Sequence, residues 1–565
     1  MSLRLPADAP PSYGHSCAMR SQRRFWGAAA ALVLLAAGLR FWALDFGLPH
    51  LRTRPDEEVV IERTALPARG EFDLKWGGYP SAYVYLCWLW GTLGLKVGQA
   101  FGALPPGDYA AVLRSHFDRI ILVDRVLSAL VGTATVGVLV ALCRRQFGGW
   151  VALSAGTLLA TNFLHARDSH AVKPDVLLAL MVLLTVAALA RMVPRATVGR
   201  SAAAGVVLGL AVSVKYPAVF LVAIAYLAAW MGSQASGWRR LVPRAWLATC
   251  VVAAVTFAAM SSDVLRNPAT LSHLAELLGV LYPGFAAPPA RSLPPILGYS
   301  PPVDEPWWGS FLYHARFSLR YGAGLLPALV APAAVLWGFA SRPLARLTAA
   351  SVVVYFLMMA SSPIVLARYM TPLMPCLALL EAGMLGAVAA RIRDRRRSVA
   401  VLVLGTLALA AEPFTSTVLH NRIIARTDTR VLATRWMAEN LPRGAKVLGL
   451  GNQLWFWGMP QLPPGVYSVS INADPESVRQ AGVGYVLTHE HVLFSSRVDP
   501  AVFERLAPGL TLLADFDPFA PGGREAIFEA WDAYYVPFHG FRGVARPGPR
   551  IRIYAVGAAR APQAG

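Results

Sequence analysis

Phe25–Trp42, FWGAAAALVLLAAGLRFW, is followed after a short interval by Arg54-Pro55-Asp56-Glu57-Glu58. At a helical rise of about 1.5 Å per residue, the apolar run comes close to crossing a hydrocarbon core about 30 Å thick. Arg20, Arg23 and Arg24 precede it, and no small-residue cleavage pattern follows it. It therefore reads as a retained first span rather than a removed leader. Arg40 lies near the far end of the run, where its long side chain is expected to reach the headgroups.

Comparable runs recur at Ile120–Leu142 and Val399–Ala411. Across 565 residues, 56% are hydrophobic, 15% are charged and the mean hydropathy is +0.47. A soluble chain carries about a quarter charged residues, so the composition is that of a polytopic membrane protein. The net charge of +20 does not indicate nucleic acid. Its basic residues sit in short clusters between apolar spans, as the positive-inside bias produces. The five cysteines are Cys17, Cys87, Cys143, Cys250 and Cys376. The polar region after residue 376 has none, and so no disulfide framework.

The basic clusters fix orientation. With Arg4 they are Arg20/Arg23/Arg24, Arg144/Arg145, Arg191/Arg195/Arg200, Arg239/Arg240/Arg244, Arg342/Arg346 and Arg391–Arg397. Together these segments hold 19 basic and two acidic residues, which places them on the cytoplasmic side. An even number of crossings must then separate any two clusters. Three apolar stretches lie between Arg24 and Arg144, so the middle one, 80–103, is the exception. Its Tyr79, Tyr83, Tyr85, Trp88 and Trp90 suit a juxtamembrane helix at the interface. The same rule splits 201–232 into two short crossings that turn at Lys215-Tyr216-Pro217, each arm below the usual span length.

The expected architecture is an α-helical polytopic membrane protein with about eleven transmembrane helices plus juxtamembrane helices. Residues 1–24 form a cytoplasmic tail, 25–414 the transmembrane domain and 415–565 a small extracytoplasmic α/β domain. Strand-like runs at Lys446–Leu450, Gly484–Thr488 and Ile551–Val556, with a helix-like stretch at Thr429–Glu439, support the last assignment.

Four outer loops then share one compartment: 45–119, 165–173, 263–318 and the short turn before Arg368. In the first, Pro55 suits a helix start, with Asp56 and Glu57 near its positive end. Burial beside the membrane would raise a carboxylate's pKa, as suits a general base; a solvated first turn is the plainer alternative. In the second, Asp168, His170, Lys173 and Asp175 lie at the boundary of two spans, where ionisable groups are costly and often functional. For Asp175 the alternative is a helix cap. Lys215 and Arg368 sit at outer span ends, suited either to a phosphate or to reaching lipid headgroups. His489-Glu490-His491 lacks further metal ligands, and Trp307-Trp308 beside Asp304-Glu305 suits a sugar or the membrane interface.

Taken in order, these segments resemble the GT-C glycosyltransferases, in particular the protein O-mannosyltransferases and lipid A aminoarabinose transferases. The resemblance rests on Arg54-Pro55-Asp56-Glu57, Tyr79-Pro80-Ser81-Ala82-Tyr83, Arg167-Asp168-Ser169-His170 with Asp175, Gly209 through Lys215-Tyr216, and Ala367-Arg368-Tyr369 with Pro372 and Pro375. It covers roughly residues 20–410. It implies inverting transfer of a sugar from a polyprenyl-phosphate donor to a lipid, glycan or protein acceptor on the outer face of the cytoplasmic membrane. It further implies Asp56 as base and Glu57 as its catalytic partner, with Asp175, His170, Lys215, Tyr216, Arg368, Tyr369 and Tyr79 contacting substrate. Lys215 and Arg368 would stabilise the leaving phosphate. No cofactor is required by the pattern, and a divalent metal is left open.

Two departures narrow the resemblance. Gly78-Tyr79 stands where the aminoarabinose transferases have a charged pair, and 263–318 is too short for the mannosyltransferases' inserted β-trefoil. The competing readings are a lipid-linked sugar transporter, which requires charges lining a path through the spans, and an inactive GT-C-like binding subunit.

Overall fold

The computed structural model describes residues 12–557 apart from 237–239, 268–307, 363–364, 452–454, 494–495, 497, 522, 524–525, 530–531 and 533. Asp304, Glu305 and Trp307 lie outside the described residues. Trp308 opens the helix Trp308–Tyr313.

The apolar runs form helices because their backbone groups must bond within the segment where water is absent. Gln22–Phe41, Phe117–Phe147, Pro343–Ala360, Ala367–Ala389 and a stretch within Arg395–Asn440 are long and apolar enough to cross a membrane. Gly309–Gly322 and Leu325–Phe339, bent by 117°, make a sixth if taken as one span. Five shorter apolar helices accompany them: Gly149–Thr161, Pro174–Ala190, Val198–Val214, Tyr216–Met231 and Arg244–Met260. The aromatic helix Ser81–Ala100 is not among the spans.

Close helix packing uses small residues. A Cβ added at Gly205 or Gly209 of Val198–Val214 would lie 2.6 Å from the Thr249 carbonyl oxygen or 2.5 Å from that of Ala253. Two backbones therefore meet along a Gly-x-x-x-Gly face, where attraction between helices in lipid depends on close contact. This seam brings Arg244–Met260 against the helix that ends at Lys215.

Arg40 departs from expectation. It does not reach the headgroups but is fully buried. Its guanidinium donates to the carbonyls of Ala36, Ala160 and Leu159 at 3.0–3.1 Å and meets His165 Nδ1 at 3.0 Å. It ties the first span to the end of Gly149–Thr161.

The helix Arg395–Ile424 runs on past residue 414, and the C-terminal unit opens with Thr429–Asn440 after a short link. Five strands follow: β1 Lys446–Leu450, β2 Tyr467–Ser468, β3 Tyr485–Glu490, β4 Leu510–Phe516 and β5 Arg550–Val556. Their order is β2-β1-β3-β5-β4, with β1 parallel to β2 and β3, and β5 antiparallel to β3 and β4. Side chains alternate between two small cores, as a strand's period of two requires. Val447, Leu487 and Ile553 face Ala433 and Met437 of Thr429–Asn440; Leu448, Val486 and Tyr554 face Val478 and Leu506. The unit docks through Tyr534, Val536, Phe538, Phe541 and Val544, which join the membrane domain's core around Phe163 and Ile423.

Candidate active site

Pro55 and Pro174 set the local geometry. The helix Glu57–Arg63 starts just after Pro55, and Asp56 stands at its N-cap in the left-handed region, φ 70°. That conformation is uncommon for a residue with a side chain, though Asp tolerates it better than most. Here the carboxylate does not cap the helix but turns outward. Pro174 at the first turn of Pro174–Ala190 leaves Lys173 extended as the N-cap residue, the conformation a following proline favours.

These two residues meet. Lys173 Nζ donates to Asp56 Oδ2 at 2.8 Å, and Arg368 Nη2 donates to the same oxygen at 3.1 Å. Arg368 comes from the 3-10 turn Ala367–Leu373; its buried Nε has no hydrogen-bond partner among the described residues. Burial pushes the Asp56 carboxyl upward, but Lys173 and Arg368 outweigh it and hold it down at about 2. The expectation of a raised pKa at Asp56 is thus reversed, because two cations share the carboxylate. Burial and the neighbouring Arg368 bring Lys173 down to about 8, against the pull of Asp56.

A second ion pair lies alongside. Lys215 Nζ donates to Asp175 Oδ1 at 2.6 Å, and Asp175 Oδ2 is buried without a hydrogen-bond partner among the described residues. The ammonium sits 4.9 Å from the centre of the Tyr369 ring and 5.9 Å from that of Tyr79, within cation–π range. Lys215 and Arg368 are buried and paired in the protein rather than extended to lipid. Tyr79 links the two pairs. Burial first, then the charge of Asp56, raises its hydroxyl pKa, with Arg368 and Asp175 also acting on it.

Three of the expected site residues stand apart. Glu57 is fully buried and forks onto Arg125, its Oε1 3.0 Å from Nε and its Oε2 2.6 Å from Nη2. It also accepts from Val172 N at 2.8 Å. Glu57, expected as the catalytic partner of Asp56, is instead occupied by Arg125 and Val172 and clamps the first outer loop to the helix Phe117–Phe147 and the second loop. His170 is held between the carbonyls of Ala166 at 2.8 Å and Trp42 at 3.0 Å, and shapes the second loop from behind. The Tyr216 hydroxyl is buried without a hydrogen-bond partner among the described residues, on the side where the charge of Asp263 acts. His489 bonds Ser496 at 2.9 Å and His491 stacks on Phe519, an arrangement of packing. Among the described residues, no group of three or more His, Cys, Asp or Glu is placed to hold a metal.

The C-terminal unit contributes residues that the sequence reading passed over. Asp532 pairs with Arg54 and lies 3.6 Å from Arg167 and 3.9 Å from Arg368. Glu529 accepts from the backbone N–H of Ala367 and lies 3.5 Å from Arg167. Asp168 completes the network, accepting from Arg167 at 2.9 Å and from Thr371 Oγ1 at 2.5 Å. Burial alone would raise the Asp532 carboxyl, but Arg54, Arg368 and Arg167 hold it below the usual range. The aromatic density around these carboxylates, from Phe528 to Phe541, was the available sequence indication that this segment docks on another surface.

Residues 117–262, about a quarter of the chain, match the family model described as dolichyl-phosphate-mannose-protein mannosyltransferase. A search of curated proteins finds no match. Among solved structures, the chain is similar to ArnT from Cupriavidus metallidurans bound to undecaprenyl phosphate. Identity is 18%, coverage 97% of this chain and 100% of that one, and the TM-score 0.48. It is also similar to the oligosaccharyltransferase AglB from Archaeoglobus fulgidus in complex with an inhibitory peptide and a dolichol-phosphate. There identity is 12%, coverage 95% and 89%, and the TM-score 0.48. For the S. cerevisiae Pmt1-Pmt2 complex bound to the sugar donor, the values are 18%, 48% and 37%, and 0.32. The family match bears out the resemblance to GT-C glycosyltransferases drawn from the motifs over residues 117–262, which hold its second acidic loop and Lys215-Tyr216.

Proposed function

We propose that this chain is an integral-membrane glycosyltransferase that takes a sugar from a polyprenyl-phosphate donor and transfers it, with inversion, to a hydroxyl-bearing acceptor. One observation carries the reading: a single carboxylate, Asp56, shared by Lys173 and Arg368 beside the Asp175–Lys215 pair. Cations grouped this way suit a phosphate, with Arg368 giving directed hydrogen bonds and the lysines compact charge.

In this reading the donor phosphate competes with Asp56 for Lys173 and Arg368. Once the phosphate takes those cations, the attraction holding the Asp56 pKa near 2 weakens, and the nearby anion raises it further. Asp56 then becomes a better base at the moment the donor is in place. The acceptor oxygen attacks the anomeric carbon as its proton passes to Asp56. The bond from that carbon to the phosphate oxygen breaks, and its electron pair leaves with the lipid phosphate. Lys215 and Arg368 stabilise that developing charge.

If each shorter apolar helix crosses with the longer ones and the bent pair counts once, eleven crossings result. The N-terminus is then cytoplasmic, and the site and the C-terminal unit face outward. Mass spectrometry of envelope lipids, glycans and proteins from cells carrying the native chain or Asp56→Asn tests the function. The native cells are expected to hold a glycosyl unit that the variant cells lack; identical inventories would overturn the proposal.

A further inference from the structure

A cavity of about 350 Å³ opens between the first outer loop and the end of the C-terminal sheet. From the loop side it is lined by His50, Glu58 and Glu62, and from the sheet side by Gly449, Met459 and Gln461. Its size falls at the lower end of ligand pockets, roughly 300–1,000 Å³. Its lining reaches toward the site through Glu58, two residues beyond Asp56; burial first, with the charge of Asp56 adding to it, raises the Glu58 carboxyl to about 7.

Two polar side chains in its lining have buried atoms without a hydrogen-bond partner among the described residues. His50 is 3% exposed, and neither ring nitrogen has a partner among the described residues; Glu58 Oε2 is buried and likewise unpartnered. Burial and then nearby Arg430 hold the His50 pKa down to about 3, so its ring is neutral, with one donor and one acceptor nitrogen. Leaving such groups unsatisfied costs stability, a penalty that a ligand reaching them would remove.

The lining also identifies the ligand's chemistry. A neutral imidazole, the Glu58 and Glu62 carboxyl oxygens and the Gln461 amide suit hydroxyl groups that both donate and accept. Met459 and Phe117 offer apolar surface for C–H faces. Glu62 stands against Arg52 in the lining, and Glu58 adds no positive charge, so the cavity offers no excess cation to draw a phosphate. We propose that this cavity is the acceptor subsite and that it receives a carbohydrate ring through its hydroxyls. The proposal rests on the transfer reading above, with donor phosphate on the cations and acceptor sugar across Asp56.

The test uses the full chain in lipid nanodiscs, carrying Ser468→Cys. Ser468 is exposed and lines the cavity, so its rate of maleimide labelling reports occupancy, after subtraction of labelling in the native chain. A panel of methyl glycosides of hexoses, pentoses and N-acetylhexosamines is expected to slow that labelling. Adding His50→Leu or Gln461→Ala should weaken the protection about three- to tenfold, as expected for loss of one hydrogen bond. Undecaprenyl-phosphate binding should remain unchanged in both variants, which separates a lost contact from a lost fold. No protection by any glycoside in the Ser468→Cys chain overturns the proposal. Protection by short Ser/Thr peptides but not by glycosides also overturns it, in favour of a protein acceptor. Glycoside protection without undecaprenyl-phosphate binding supports the carbohydrate site while defeating the donor reading.

Discussion

At the scale of single residues, the site is governed by how few partners its charges share. Asp56 is held low by two cations, and Lys173 is brought down to about 8 mainly by burial and Arg368. Asp56 therefore gives the free protein no acid limb above about pH 2. As pH rises through about 8, Lys173 loses its proton and with it the ability to hold a phosphate. Transfer measured as kcat/KM, which reports the free enzyme, is expected to fall there; Lys173→Arg should move that limb upward. A profile flat well above pH 8 would contradict the role of Lys173. Folding stability moves the other way. Between about 8 and the ordinary 10.5 the unfolded chain binds the extra proton, so stability from this group rises with pH. Deprotonation of Lys173 therefore does not itself drive unfolding where activity falls.

At the scale of elements, buried ion pairs join segments far apart in sequence. Glu57 and Arg125 bind the first outer loop to the helix Phe117–Phe147 with both side chains fully buried. Glu57→Ala leaves the guanidinium without its partner and is expected to destabilise by about 3–5 kcal/mol. A shift in thermal unfolding midpoint checks this, and an unchanged midpoint would refute the clamp. Asp532 orders Arg54, Arg167 and Arg368 from the C-terminal unit. Asp532→Asn is expected to lower transfer about tenfold or more, the scale of a lost charge-assisted bond. Asp515→Asn, which alters a half-exposed pair with Arg550, should stay near native, since surface pairs contribute about 0–1 kcal/mol. Equal transfer rates for the two variants would contradict the contribution of the docked segment. Much of this scale was legible in advance. Hydropathy marked the helices, and strand-like runs marked β1, β3 and β5. Pro55 marked the helix start. What the sequence could not reveal were partners more than 60 residues apart. Glu57 is a carboxylate next to Asp56 yet points inward to Arg125, and Asp532 reaches the site through a docking surface that no local pattern specifies.

At the scale of the whole molecule, sidedness decides whether the loops can act together. If Asp56, Asp175, Lys215 and Arg368 face one compartment, Ser81–Ala100 does not cross, and residues 108 and 145 lie on opposite faces. Asp108→Cys and Arg145→Cys should label with a membrane-impermeant maleimide from opposite sides; labelling of both from one side would refute the arrangement. The central claim is that Asp56 serves the transfer step from a site whose cations hold the donor. Single-turnover transfer from a polyprenyl-phosphate sugar by purified native protein and Asp56→Asn tests it most directly, with undecaprenyl-phosphate binding measured in parallel. The account predicts a loss of about 10²–10⁴-fold, as for removal of a general base, with lipid-phosphate binding retained; an unchanged transfer rate in Asp56→Asn would contradict it.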